Sequence, residues 1–594
     1  MAVVPTSGRK RPTPIGAATM EPMAADVSSS FDVGQQAMEI LAPESTAIGL
    51  GPDTASIGDS LTAALSQASR NPGLVVKAAA TLTGGLSSIP ATVLTDWLNA
   101  PKHGKDSKQV DRRFADPAWT ENPYFHAILL AYLSGCDFAR TLVAESGLDR
   151  KRAMKAKLGL DLMLDAVAPS NFALTNPTVL KRAFDTAGIS LLKGARNFTS
   201  DLLKNRGMPS QVDTSGFELG RNLAVTPAKV VYRNELMELL QYEPQTEKVH
   251  EVPLLCSPPW INKYYIMDLA PQRSFIEWAV QHGRTVFAIS YRNPTAEMAG
   301  TTMDDYLISG PQQALDVITD ITGAAKIDMV GLCLGGALTA ITAAYLAQTG
   351  DDRIGSLTLL NTMLDYAEPG QLGVFTDEAA VQKLEKEMAK AGGTLPGKSM
   401  AGTFDVLRAN DLIFSYMVSN WLLGQTPAAF DILAWNTDST QMPAAMHTFY
   451  LRNFYVKNLL AQGELEIGGL KIDLSAIKSR TYIVSAKNDH IVPWDSAYKS
   501  TGLISGPARF VLSNGGHIAG IVNPPGPKAW YLTNDDYPQT AEAWAQGATR
   551  KAESWWVDWT EWAAEQAGPM VTPPKTGSRK HKVLGDGPGE YVLG

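Results

Sequence analysis

The sequence predicts an α/β protein preceded by a helical region, and three observations carry that reading. Up to about residue 245, apolar residues recur three and four apart, the period of helices that face a core. From about residue 249, short β-rich runs alternate with amphipathic stretches, the signature of βαβ units and a mostly parallel sheet. One interval of about 120 residues, 362–480, breaks that rhythm with a mainly helical pattern, and it is too long for a crossover, so it reads as an inserted lid.

The elements follow in order. Residues 1–45 are rich in Pro, Ser, Gly and Ala and read as a flexible arm. A helical N-terminal domain is expected over 46–245, with helices at Ile57 to Ser69, Lys151 to Ala166 and Thr178 to Lys204, the last started by Asn176-Pro177. An α/β domain is expected over 246–573. Its expected strands are Val252–Cys256, Thr285–Tyr291, Lys326–Gly331, Ser356–Asn361, Thr481–Ser485 and Arg509–Leu512. Amphipathic segments at Arg273–His282, Gln312–Thr322 and Ala337–Gln348 separate them. Residues 574–594 are basic, then Gly-rich, and read as a flexible tail.

Composition excludes several classes. The 594 residues are 45% hydrophobic and 19% charged, a globular balance. With 52 basic and 60 acidic residues the net charge is −8, so no overall pull toward nucleic acid exists. No run of 18 uncharged apolar residues predicts a transmembrane segment, and the basic start of the chain lacks the apolar stretch of a secretory signal. Three scattered cysteines cannot frame a disulfide fold and fit a reducing cytoplasm.

The sharpest chemical signal is Gly331-Leu332-Cys333-Leu334-Gly335-Gly336. It follows an apolar strand and precedes a helix, the context of a G-x-S-x-G nucleophile elbow with Cys in place of Ser. The glycines let strand and helix pass closely around a strained nucleophile, and a helix N-terminus favours the thiolate. The bland reading is a structural Cys in a Gly-rich turn, but partners follow in the order nucleophile, acid, histidine that marks the α/β-hydrolase fold. Asp489 lies just past a strand end, and His517 lies on the Gly-rich loop after the next strand. His490 is a rival base, ranked second because it adjoins Asp489. Oxyanion donors are expected from the N–H of Leu334 and from Trp260 or Ile261, since Pro258 and Pro259 have none. A thiolate nucleophile keeps its acyl group activated as a thioester, which favours acyl transfer over hydrolysis.

Other residues receive quieter readings. Cys136 and Cys256 read as packing. His103, His126, His250, His282 and His581 read as surface or loop residues. The lid aromatics Trp421 and Trp435, and the stripe Trp555, Trp556, Trp559 and Trp562, read mainly as core, with a substrate channel or a hydrophobic partner surface as the alternatives.

At these residues the sequence resembles the polyhydroxyalkanoate synthases, also called poly(3-hydroxyalkanoate) polymerases. The resemblance runs over about 105–570, through Asp111-Arg112-Arg113-Phe114, Asn222-Leu223-Ala224-Val225-Thr226-Pro227, Pro258-Pro259-Trp260-Ile261-Asn262 and Tyr291-Arg292-Asn293-Pro294. It continues through the Cys333 elbow, Trp435-Asn436, Asp489-His490-Ile491-Val492-Pro493-Trp494 and Gly516-His517-Ile518-Ala519-Gly520. The last of these looks most like class I, which acts on short-chain substrates. The resemblance implies polymerisation of (R)-3-hydroxyacyl-CoA with release of coenzyme A and no separate cofactor or metal. It implies Cys333 as nucleophile and His517 as base. Asp489 would either orient His517 or activate the substrate hydroxyl. It also implies a homodimer on the surface of cytoplasmic polymer granules that hold the growing polyester. Two other readings stand beside it: an acyl-CoA thioesterase or lipase-like hydrolase, and a non-catalytic granule scaffold.

Overall fold

The structure, a computed structural model, describes residues 54–99 and 111–594. The arm expected over 1–45 and His103 lie outside them.

Helices come first: α1 (Thr54–Ser69), α2 (Pro72–Asn99), α3 (Pro123–Ala144), α4 (Arg150–Ala166), α5 (Pro177–Asp185) and α6 (Ile189–Lys204). Asn122, Asp149 and Asn176 cap α3, α4 and α5 by accepting N–H bonds from the first turn. The single helix expected over 178–204 is broken, because Ala187 and Gly188 both adopt positive φ between α5 and α6. By length and composition alone, 72–98 and 123–144 are long and apolar enough to cross a membrane. The run-length reading passed over them because Gly, Ala, Ser and Thr dilute their large apolar residues.

An eleven-stranded mixed sheet forms the second part. Its strands are β1 (Ala228–Arg233), β2 (Met237–Tyr242), β3 (Leu254–Ser257), β4 (Val286–Tyr291), β5 (Ile327–Leu332), β6 (Ile354–Leu360), β7 (Arg480–Ala486), β8 (Ala508–Ser513), β9 (Tyr531–Thr533), β10 (Thr549–Lys551) and β11 (Gly585–Asp586). Their order is β10-β9-β8-β7-β6-β5-β3-β4-β2-β1-β11. The six from β3 to β8 run parallel to their neighbours in this group. β5 and the last five residues of β6 are wholly buried, as a strand covered on both faces must be. Helix α7 (Phe275–Gln281), α8 (Gln313–Thr322) and α9 (Leu334–Thr349) cover those faces.

Three expectations are corrected here. Strands β1 and β2 fall inside the region expected to be purely helical up to 245, so the sheet begins near Ala228. Residues 574–594 are no loose tail: β11 pairs antiparallel with β1, Val592 is buried, and the buried carboxylate of Glu238 accepts the N–H groups of Glu590 and Tyr591 at 2.9 Å. His581 is buried there against Asp320 at 3.0 Å, and His126 is buried as well, so neither is a surface residue.

Between β6 and β7 the chain passes through α10 (Glu378–Lys390), α11 (Gly397–Leu407), α12 (Asp431–Thr437), α13 (Ala444–Tyr450) and several shorter turns and hairpins. This segment covers the C-terminal ends of the parallel strands. The helical region supports it from outside: Ile57 packs on Leu372, Val374 and Phe375, and Lys155 bonds Asp377 at 2.6 Å.

Candidate active site

Cys333 stands between β5 and α9 with φ 52° and ψ −114°, a conformation L-residues rarely adopt and one that costs about 1–3 kcal/mol. The surroundings hold it there. Its N–H donates to the Leu360 carbonyl at 2.8 Å, and its carbonyl accepts from Gly336 and Ala337 at 3.0 and 3.1 Å, opening α9. A Cβ on Gly331 would lie 2.5 Å from Gly336 Cα, and one on Gly335 would run into the carbonyls of Ser257 and Pro258. Glycine is therefore required for β5, α9 and the loop after β3 to meet at this point.

That loop carries the two residues expected to offer an oxyanion N–H, and their side chains have different surroundings. Ile261 lines the cavity in front of Cys333 together with Leu334. The Trp260 ring turns into the core, with Tyr306 and Tyr450 at centroid distances of 5.6 and 5.9 Å, and it is absent from the cavity wall. The Leu334 N–H lies in the first turn of α9, where no intrahelical acceptor exists. The loop is tied to the lid: Asn262 N–H donates to Thr440 Oγ1 at 2.9 Å, and that hydroxyl donates to the Trp260 carbonyl at 3.1 Å.

Asp489 and His517 are brought together from the ends of β7 and β8. Asp489 Oδ2 meets His517 Nδ1 at 2.6 Å. Asp489 Oδ1 accepts the N–H groups of Ile491 and Val492 at 2.8 and 2.9 Å. Both carboxylate oxygens are thus engaged, on a side chain with 0% exposure. Burial opposes a charge on His517, but the Asp489 carboxylate and the Cys333 sulfur, within hydrogen-bonding reach, outweigh it and hold the ring's pKa well above its ordinary value. His490 behaves differently: burial and the charge of Arg408 push it down to about 4, and its Nδ1 has no partner.

The tryptophan stripe has a task at this site. It lies on α14 (Trp555–Ala564), where Trp555 and Trp556 donate through Nε1 to the carbonyls of Gly520 and Ile521, both at 2.9 Å, and so pin the loop that carries His517. Asn361, at the end of β6, donates to the carbonyl of His517 itself. The Trp435-Asn436-Thr437-Asp438 run clamps the loop after β3: Trp435 Nε1 donates to the Lys263 carbonyl at 2.8 Å, and Asp438 pairs with Lys263 at 2.7 Å and with the Tyr265 hydroxyl at 2.9 Å. Cys136 is buried. Cys256 is fully buried, and burial pushes its thiol far up, so it stays protonated.

Cys333 is half-buried beneath the lid. Tyr366, Tyr450 and Tyr455 roof its cavity as a mutually packed group, with centroids 4.9 Å apart for Tyr366–Tyr455 and 5.4 Å for Tyr450–Tyr455. His447 and Asn361 carried no motif in the sequence. Only the fold brings them here.

The fold and the site together define an α/β-hydrolase-fold protein whose elbow holds a cysteine where a serine is usual. Residues 259–524 match the alpha/beta hydrolase fold family, and residues 110–279 match the family described as poly-beta-hydroxybutyrate polymerase (PhaC) N-terminus. Among curated proteins, the chain is 43% identical over 489 residues to the poly(3-hydroxyalkanoate) polymerase subunit PhaC of Cupriavidus necator, covering 81% of this chain and 83% of that one. It is 42% identical to the poly(3-hydroxyalkanoate) polymerase of Methylorubrum extorquens (81% and 80%) and 41% identical to polymerase 1 of Ectopseudomonas oleovorans (81% and 86%). The chain belongs to the polyhydroxyalkanoate synthase family.

Proposed function

We propose that the protein polymerises (R)-3-hydroxyacyl-CoA, of short side chain such as 3-hydroxybutyryl-CoA, through an acyl-Cys333 intermediate. The observation that carries this is the Cys333–His517–Asp489 arrangement beneath a tyrosine roof. His517 takes the Cys333 proton, and the thiolate attacks the thioester carbonyl. Negative charge on that oxygen is met by the N–H of Leu334 and of Trp260 or Ile261. Coenzyme A leaves with the proton from His517, and the acyl group stays on sulfur. For elongation, His517 takes the proton of a 3-hydroxyl, the alkoxide attacks the thioester on Cys333, and an ester forms as the thiolate leaves. Asp489 orients His517, a role supported by the engagement of both its oxygens. A homodimer and attachment to polymer granules in the cytoplasm are part of the proposal; the exposed Phe184, Leu192 and Leu203 of the α5–α6 pair would suit an apolar polyester surface.

The test is incubation with 3-hydroxybutyryl-CoA, following thiol release, polymer, and the mass of the Cys333 peptide. Thiol release with polymer and an acylated Cys333 is expected. Thiol release with free 3-hydroxybutyrate alone would make the protein a hydrolase.

A further inference from the structure

His447 lies on α13, three residues before Tyr450 and four before Leu451, and all three side chains reach the cavity of Cys333 from one helix face. Its ring is fully buried, and neither Nδ1 nor Nε2 has a hydrogen-bond partner. Burial pushes its pKa down to about 4, so at neutral pH the ring is uncharged, with one donor and one acceptor. Buried polar atoms left unpaired cost stability, and such a cost persists where a ligand relieves it. Around His447 the wall is apolar at Met363, Leu372, Leu451 and Val492, and its polar members, Thr376 and the roof tyrosines, do not bond the ring.

The proposed reaction places three kinds of oxygen in this cavity. The thioester carbonyl belongs to the N–H donors at the elbow, and the attacking hydroxyl belongs to His517. The oxygen on C3 of the acyl group already held by Cys333 has no partner among these. It is a hydroxyl in the first unit and an ester oxygen in every later one, and both accept a hydrogen bond. We propose that His447 donates to this C3 oxygen, making the lid side of the cavity a subsite that distinguishes 3-oxygenated acyl groups from plain ones. The proposal rests on acylation of Cys333 as described above. It makes His447 a specificity-determining residue with no part in proton transfer.

The test compares single-turnover release of coenzyme A from 3-hydroxybutyryl-CoA and from butyryl-CoA by the full chain, its His447→Leu variant and its His447→Gln variant. The His447→Leu change should lower the ratio of the two rates by ~10-fold or more, because a site built to bond an oxygen discriminates against its absence. His447→Gln, which keeps a donor, should recover part of the ratio. The thermal midpoint of His447→Leu should equal or exceed that of the parent, since an unpaired buried polar group has been removed. If His447→Leu does not fold, His447→Met decides by the same ratio. An unchanged ratio, or equal losses on both substrates with a lower midpoint, overturns the proposal. Failure of the parent to release coenzyme A from either substrate would instead overturn acylation of Cys333.

Discussion

The two walls of the cavity differ in how their polar atoms are satisfied. On the sheet side, both Asp489 oxygens and the His517 ring and carbonyl have protein partners. On the lid side, His447 has none. The first wall is organised before substrate arrives, as a charge-handling group must be if no reorganisation is to burden the chemical step. The second would be completed by the proposed substrate contact. On the proposed reaction, the difference assigns the chemistry to the sheet and the choice of substrate to the lid.

The largest effect that tests this division falls on the sulfur. Cys333→Ala should abolish thiol release and polymer while the thermal midpoint holds, and Cys333→Ser should retain at most a trace, because a hydroxyl ionises far less readily than a thiol. Near-parental turnover in either would end the reading of Cys333 as nucleophile. Next, His517→Gln should reduce both acylation and elongation by about 10²–10⁴-fold, the range attributed to a positioned base. Asp489→Asn should lower the two phases equally in a single-turnover and steady-state comparison, since it acts through His517; a loss confined to elongation would mean that it works on the substrate hydroxyl instead.

Smaller effects belong to the lid. Trp435→Ala removes the bond to the Lys263 carbonyl and loosens α12 from the loop after β3. The yield of free 3-hydroxy acid relative to polymer should then rise several-fold as water gains access. An unchanged ratio would show that the lid does not keep water out.

The smallest effect is on stability, and its sign differs between the walls. His517 has a raised pKa in the fold, so its contribution is complete below the unfolded value near 6.5 and fades as pH rises through the raised one. His447 is lowered to about 4 by burial, so above 6.5 it adds no pH dependence, and as pH falls from 6.5 toward 4 the cost of charging the buried ring works against the fold. His447→Leu should therefore flatten the fall of the thermal midpoint between pH 6.5 and 4. A slope equal to the parent's would argue that the ring titrates normally.

Much of this was legible before the structure. The parallel strands announce themselves because strands buried on both faces are continuous apolar runs, and the elbow and its two partners fall at strand ends. What escaped was set by contacts distant in sequence. β1 and β2, AKVVYR and MELLQY, carry charges that break any simple alternation, and the buried Glu238 is satisfied by Arg233 of β1 together with the N–H groups that residues 590 and 591 bring to it. The order of 574–594 has the same origin. His447 has no neighbouring motif, and its isolation arises from the cavity around it. The break at Ala187-Gly188 was readable in principle, since glycine is the residue that best tolerates the left-handed turn found there.

The strand β11 has a consequence for how the chain is made. Its partner β1 is synthesised roughly 350 residues earlier, and at about 5–20 residues per second the wait is tens of seconds. During that time one margin of the nascent sheet carries open N–H and C=O groups and can pair with any other unfinished copy. Nascent chains on one messenger are crowded together, so the short final strand works as a closure whose delay sets how long each copy stays adhesive.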